Sequence, residues 1–406
     1  MKALSQTRQK SQLGQIGLYT ISVFAAKGVS IVMLPIVARY LSPAEYGQLN
    51  LLVTFAVVVG LLLTMGVGDT LYRFVSAKDN GEITDEQRQI AANCFTLLFG
   101  LSLLVCSILY VLRFYIAEQL PIDIPADYLV YILINLFFTG NIAVPLTLLR
   151  ICQRAQAFAF FSLLQVVVQA ATCLLLLNFA WQVEAVLMAG AFSAALTFVA
   201  IIYFANPLKH MKIQLPNRNM LKYMLMILLS ALCMYGLSGA ENWFIAGLFG
   251  AEQLAQYFVA GQFVLGLSFA LEPFRLWWFA RRFDVAKYNP NQAANKALLG
   301  LQICQMLSIT MLMFGPSVLI WLMPQSFAPA ADYITILTLL FVVKTHAELF
   351  NLGCYAKQNA RFVPVINFIS AAVILCALAV LPKLIGIDGV FYALLIGYIT
   401  RAVLFW

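Results

Sequence analysis

Twelve apolar stretches, each about twenty residues long and so able to cross a bilayer as a helix, leave this chain few options. Residues 97–112 and 366–381 are apolar on every side, with no alternation of apolar and polar positions. In hydrocarbon every backbone N–H and C=O must be paired within the protein, so such stretches are helices or strands of a closed barrel. Barrel strands alternate with period two, which excludes them here. Hydrophobic residues make up 63% of the 406 and charged residues only 10%, too little polar surface to cover a water-soluble globule of this size. The expected fold class is an all-α integral membrane protein with about twelve transmembrane helices.

The polar breaks place the spans at about 14–40, 47–74, 90–112, 127–149, 156–178, 184–205, 220–248, 253–280, 294–321, 332–353, 362–381 and 387–406. The first is too long for a signal-peptide core and lacks a small-residue cleavage site, so it is expected to be retained. Lys and Arg give the orientation. With both termini in the cytoplasm, nineteen of the 25 fall in cytoplasmic segments and their helix ends, Arg401 among them, against three outside (Arg39, Arg113, Lys383) and three within spans (Lys27, Arg275, Lys344). The net charge of +8 is then loop bias facing anionic lipid and implies no nucleic-acid partner.

The linker NPLKHMKIQLPNRN, residues 206–219, sits at the midpoint and divides the chain into two six-helix halves, 1–208 and 209–406. Residues 40–55 align without gaps on 248–263, a displacement of 208 that brings Gln48 onto Gln256 and Arg73 onto Arg281. RAQAFAFF from Arg154 matches KQNARFVP from Lys357 at a similar displacement. These matches predict a parallel internal repeat with a central cavity between the halves.

All eight cysteines lie in or at the ends of apolar stretches without CxxC spacing, which predicts neither metal centre nor disulfide, and no cofactor is implied. The largest extracytoplasmic break, 113–127, is too short to hold an active site, and neither a DxD, GxSxG or HExxH motif nor a phosphate-binding loop is present. A membrane glycosyltransferase or polymerase is therefore disfavoured, and the chain is not expected to be an enzyme.

The stretch ARYLSPAEYGQLNLLVTFAVVVGLLLTMGVGDTLYRF, residues 38–74, resembles the first helix hairpin of polysaccharide-export proteins in the MATE-like multidrug/oligosaccharidyl-lipid/polysaccharide superfamily, above all the Wzx-type O-antigen flippases. The shared pattern is a leucine, a short turn, an acid-tyrosine-glycine step, an apolar helix, a glycine-containing end and an arginine followed by an aromatic residue. The resemblance implies a bacterial inner-membrane flippase. Its cargo would be an undecaprenyl-pyrophosphate-linked oligosaccharide such as an O-antigen unit, and its partners membrane lipids and the polymerase and other polysaccharide-assembly proteins. A MATE-type ion-coupled exporter of organic cations shares the fold and is the alternative.

Ionisable residues at membrane depth mark a pathway or a partner. Lys27, Arg73, Arg275, Arg281 and Lys344 are the candidate ligands of a pyrophosphate in the cavity, because Lys and Arg supply charge-assisted hydrogen bonds. Asp69, Glu241, Glu272 and Glu348 are the candidates for ion coupling or charge pairing. Asp69 and Arg73 are four apart, Glu272 and Arg275 three apart around Pro273, and Lys344 and Glu348 four apart, so each couple fits an intrahelical pair as well as a substrate contact. Lys27 and Glu241 have no such neighbour, and either pair across the halves or line a water-filled cavity.

Overall fold

The computed structural model describes residues 2–77, 82–179, 181–205, 216–279, 281–350 and 362–405, with only the backbone for 2–16. Most of the 206–219 linker, the Lys357 side of the second repeat match, Cys354 and part of the break after the second span lie outside the described residues. The described chain is helical throughout, with no strand, and twelve helical segments are long and apolar enough to cross a membrane. The expected all-α membrane fold is the one observed. Large apolar side chains such as Leu104, Val199, Met313 and Trp321 face outward, as a bilayer rather than water requires.

The helices are α1 (Lys2–Tyr40), α2 (Pro43–Thr64), α3 (Val67–Phe74), α4 (Asp85–Val111), α5 (Arg113–Gln119), α6 (Ala126–Ile151), α7 (Ala155–Leu177), α8 (Val183–Ala205), α9 (Arg218–Leu237), α10 (Glu241–Phe279), α11 (Arg282–Tyr288), α12 (Pro290–Leu322), α13 (Ala330–Phe350), α14 (Phe362–Ile385) and α15 (Asp388–Phe405). Local chemistry fixes several starts. Ser42 and Glu45 form a reciprocal cap at α2, its backbone N–H and hydroxyl both donating to Glu45 Oε2 at 2.7 and 2.8 Å. Thr84 and Gln87 do the same at α4. Asn289 accepts from the Gln292 N–H ahead of Pro290, whose missing N–H costs nothing in a first turn.

By internal contacts the chain forms two compact units, Met1–Tyr40 with Phe55–Ala231 and Leu41–Thr54 with Leu232–Trp406. In the first unit α6 packs on α4 and α8, and α7 on α1 and α8. Its core joins Leu71, Phe95 and Leu98 to Met224, so the first turns of α9 belong here. In the second unit α14 packs on α15, and α13 on α10, α12 and α15, with Trp278, Leu301 and Leu349 at one buried centre.

Two breaks interrupt spans that hydropathy reads as continuous. Met65 and Gly66, at φ 44° and 65°, separate α2 from α3. Ser238, Gly239 and Ala240 separate α9 from α10, and Gly250 (φ 84°, ψ −176°) turns the chain again inside α10. Backbone dihedrals stay helical through Pro273, and the one non-helical position within α10 is Gly250.

Parts of the two aligned segments meet within the second unit, where a Cβ on Gly47 would overlap the carbonyl oxygen of Ala251. Tyr46 beside it packs edge-on against Phe327, ring centroids 5.5 Å apart. All the atoms that Cβ would meet belong to the Ala251 backbone, so relief requires the chain itself to shift. Gly47→Ala is expected to cost about 1–3 kcal/mol by overpacking, read as a lower thermal unfolding midpoint of the purified protein; an unchanged midpoint would contradict this close approach.

Candidate functional site

The break before α10 organises a polar cluster inside the second unit. Gly239 adopts φ 140°, and a Cβ there would press on the Tyr235 ring. The reversal brings the carboxylate of Glu241, first residue of α10, back over the break. Its Oε2 accepts from the Gly239 N–H at 2.5 Å and its Oε1 from the Tyr257 hydroxyl at 3.1 Å. Trp243 Nε1–H donates to the Tyr235 hydroxyl at 2.7 Å and ties both sides of the break together. Glu241 is only 6% exposed. A carboxylate so placed needs donors or a proton.

Lys344 of α13 brings a positive charge to this side. Its Nζ donates to Ser238 Oγ at 3.2 Å and lies 5.9 Å from the centre of the Tyr398 ring. Glu241, Arg401 and Arg275 all act on it electrostatically. The Tyr398 side chain also bonds Ser238 and feels Glu241. Arg401 is buried at 5% exposure, and its Nε–H donates to Asn367 Oδ1 at 3.0 Å across α15 and α14. Five helices thus bring one acid, two bases and three tyrosines together around a helix break, the arrangement by which discontinuous membrane helices hold ions and charged substrate groups.

The sequence neighbours did not become partners. Arg275 pairs with Glu348, linking α10 to α13, and its guanidinium lies 5.9 Å from the Phe279 ring. Lys344 therefore does not pair with Glu348, nor Arg275 with Glu272. Intrahelical spacing makes a pair possible, but on these packed helices the facing side chain of another helix is the closer partner. Glu272 is half-buried and makes no described ion pair.

In the first unit Lys27 lies on an exposed face of α1. Asp69 and Arg73 are both exposed on α3 and form no ion pair among the described residues. The Arg73 guanidinium instead sits over the Tyr223 ring at 4.4 Å and beside Phe74 at 5.8 Å. That contact desolvates one face of the guanidinium. Arg281, its counterpart by displacement, caps α11 beyond the end of α10, 6.0 Å from the Trp277 ring. Both thus rest on aromatic rings at helix ends.

Sequence reasoning missed Ser238, Tyr257, Asn367, Tyr398 and Arg401. Arg401, expected at the end of the last span, is a buried member of this cluster. The one signal available was Ser238-Gly239 inside an apolar stretch, a weak spot for a helix.

The chain matches the polysaccharide biosynthesis protein family over residues 36–272. No curated protein matches it significantly. Among solved structures it is similar to the lipid II flippase MurJ in an inward closed conformation, with TM-score 0.72 and 11% identity over 96% of this chain and 86% of that one. It is also similar to a multidrug resistance MATE family transporter of the MOP superfamily in its inward-facing conformation, with TM-score 0.66 and 15% identity over 95% and 92% of the two chains. The outward-facing conformation of a MATE family transporter matches with TM-score 0.59 and 16% identity over 96% and 94%. At these identities the likeness is one of fold.

Proposed function

The chain belongs to the polysaccharide biosynthesis protein family, and from that membership we propose that it flips an undecaprenyl-pyrophosphate-linked oligosaccharide from the cytoplasmic to the periplasmic leaflet of a bacterial inner membrane. The family match, which spans more than half the chain, carries this reading. The fold supports it, since it is shared with a lipid II flippase and with transporters rather than enzymes. In this reading the two six-helix halves, 1–208 and 209–406, work by alternating access with both termini cytoplasmic. Lys27 and Arg73 in the first unit, and Arg275, Arg281 and Lys344 in the second, neutralise the pyrophosphate in turn. Glu241 with its tyrosines is the candidate for ion coupling, Asp69, Glu272 and Glu348 completing the acidic set. The polymerase and other polysaccharide-assembly proteins are the expected partners.

The fold likeness to multidrug MATE transporters keeps a cation antiporter as the second reading. The two differ in cargo charge, so one strain separates them. Deleting the gene should remove surface polysaccharide and accumulate the lipid-linked unit on the cytoplasmic side, and expression in trans should restore export. Normal polysaccharide with new sensitivity to lipophilic cations would sink the flippase and favour the antiporter.

A further inference from the structure

At the end of the first unit that the charge bias assigns to the cytoplasm, three helix ends bring three arginines close to Cys152, and a fourth helix adds Tyr19. Arg88 is in the first turn of α4, Arg150 in the last turn of α6, and Arg154 caps α7. The reversal between α6 and α7 is tight: Gln153 takes φ 56°, and the Arg154 N–H donates to Leu149 O at 2.8 Å. This puts Arg150 back over the new helix, where its guanidinium lies 4.7 Å from the Phe158 ring. Tyr19 of α1 packs edge-on against the same ring, centroids 5.4 Å apart, and Arg150, Cys152 and Tyr72 all act electrostatically on its hydroxyl. Arg154 and Arg88 act in turn on the Cys152 thiol. Burial raises that thiol above its ordinary value, and the two arginines pull it back only in part.

Two observations call for an anion. Arg88 has a carboxylate partner, Asp85 at 3.5 Å, but among the described residues Arg150 and Arg154 have none. The Tyr19 hydroxyl is shielded from solvent, yet no described group accepts its proton. Three forked cations and one hydroxyl donor match a phosphate group, which takes several charge-assisted hydrogen bonds at once. We propose that Arg88, Arg150, Arg154 and the Tyr19 hydroxyl form a phosphate-binding site that takes up the pyrophosphate of the lipid-linked cargo at the membrane surface before translocation. The cargo rests on the function proposed above; the phosphate chemistry does not.

Cys152, half-buried among these arginines, reports on the site. The protein in phosphatidylcholine nanodiscs would be alkylated with N-ethylmaleimide at about pH 8.5, where thiolate begins to form, and each cysteine followed by mass spectrometry. At about ten times its dissociation constant, polyprenyl pyrophosphate in the disc should slow Cys152 about tenfold by simple occupancy. Cys106 and Cys233, also half-buried, should not change. Inorganic pyrophosphate is the second arm. Protection by both probes assigns the site to the anion alone, and protection by the lipid only assigns it to a lipid-borne headgroup; each supports the proposal. The inorganic arm carries neither glycan nor lipid, so its result stands whether or not the export test succeeds. R150Q/R154Q should abolish protection, and Tyr19→Phe, which keeps the ring packing, should weaken it. If the double variant does not fold, Arg154→Gln alone is read in the same way. No protection by either probe, protection that survives the arginine changes, or equal protection by phosphatidylglycerol overturns the site.

Discussion

Replacing Arg275 by alanine while Glu348 remains should destabilise the protein by about 3 kcal/mol or more and deplete it from the membrane fraction, because an unpaired carboxylate is left among packed helices. The side chains are about one-fifth exposed, 23% and 21%, which places the effect at the lower end for buried pairs. Glu348→Ala should do the same by stranding the guanidinium. Arg275→Met combined with Glu348→Leu removes both charges at similar volume and should recover most of the loss. Glu272→Gln, which touches the sequence neighbour rather than the structural partner, should change abundance little. Abundance by quantitative blotting and unfolding midpoint in detergent read all four variants. If Glu272→Gln were as damaging as Glu348→Ala, or the double variant no better than the singles, the α10–α13 pair would not be the stabilising one.

That contrast shows where sequence reading stops. The number of spans follows from apolar length alone, because each helix must satisfy its own backbone in lipid. Ends such as Ser42 or Thr84 are equally legible, since their caps are contacts over three residues. Partners of ionisable residues are not. Asp69, Glu272 and Glu348 each stand three or four residues from a base, but the pair that forms joins α10 to α13, and Arg73 turns to Tyr223. Which faces of two helices meet depends on packing that no local spacing encodes.

The polar cluster was half legible for a related reason. Glu241 is conspicuous as an acid in an apolar stretch, but Tyr257, Tyr398 and Asn367 look like ordinary span residues until the fold aims them at it. The break at 238–240 is hidden because hydropathy averages over the window in which three residues leave the helix. Its consequence is chemical: a carboxylate that would point sideways from a continuous helix is turned back onto a free N–H. Arg401 is a further case. Its place near the end of the last span suggests only a share in the charge bias, whereas the fold buries it against Asn367.

Lys27→Ala is expected to lower polysaccharide export by at least about tenfold, as loss of one hydrogen bond to a charged phosphate would, worth about 1.5–3 kcal/mol. The lysine stands on an exposed face of α1, and the neighbouring Gly28 has open space where a Cβ would be, so truncation should leave the helix in place and membrane abundance normal. Lys27→Arg keeps the charge on a longer, forked side chain and should retain part of the activity. A structural pair between Lys27 and Glu241 predicts a different pattern: either single alanine lowers abundance, and the double restores it. Glu241 already holds the Gly239 N–H and the Tyr257 hydroxyl within its own unit, which makes such rescue unexpected. Export and abundance should be measured together in Lys27→Ala, Lys27→Arg, Glu241→Ala and the Lys27→Ala/Glu241→Ala double. Normal export by Lys27→Ala at normal abundance would remove the lysine from the transport path, and rescue of abundance in the double would convert it to a structural partner.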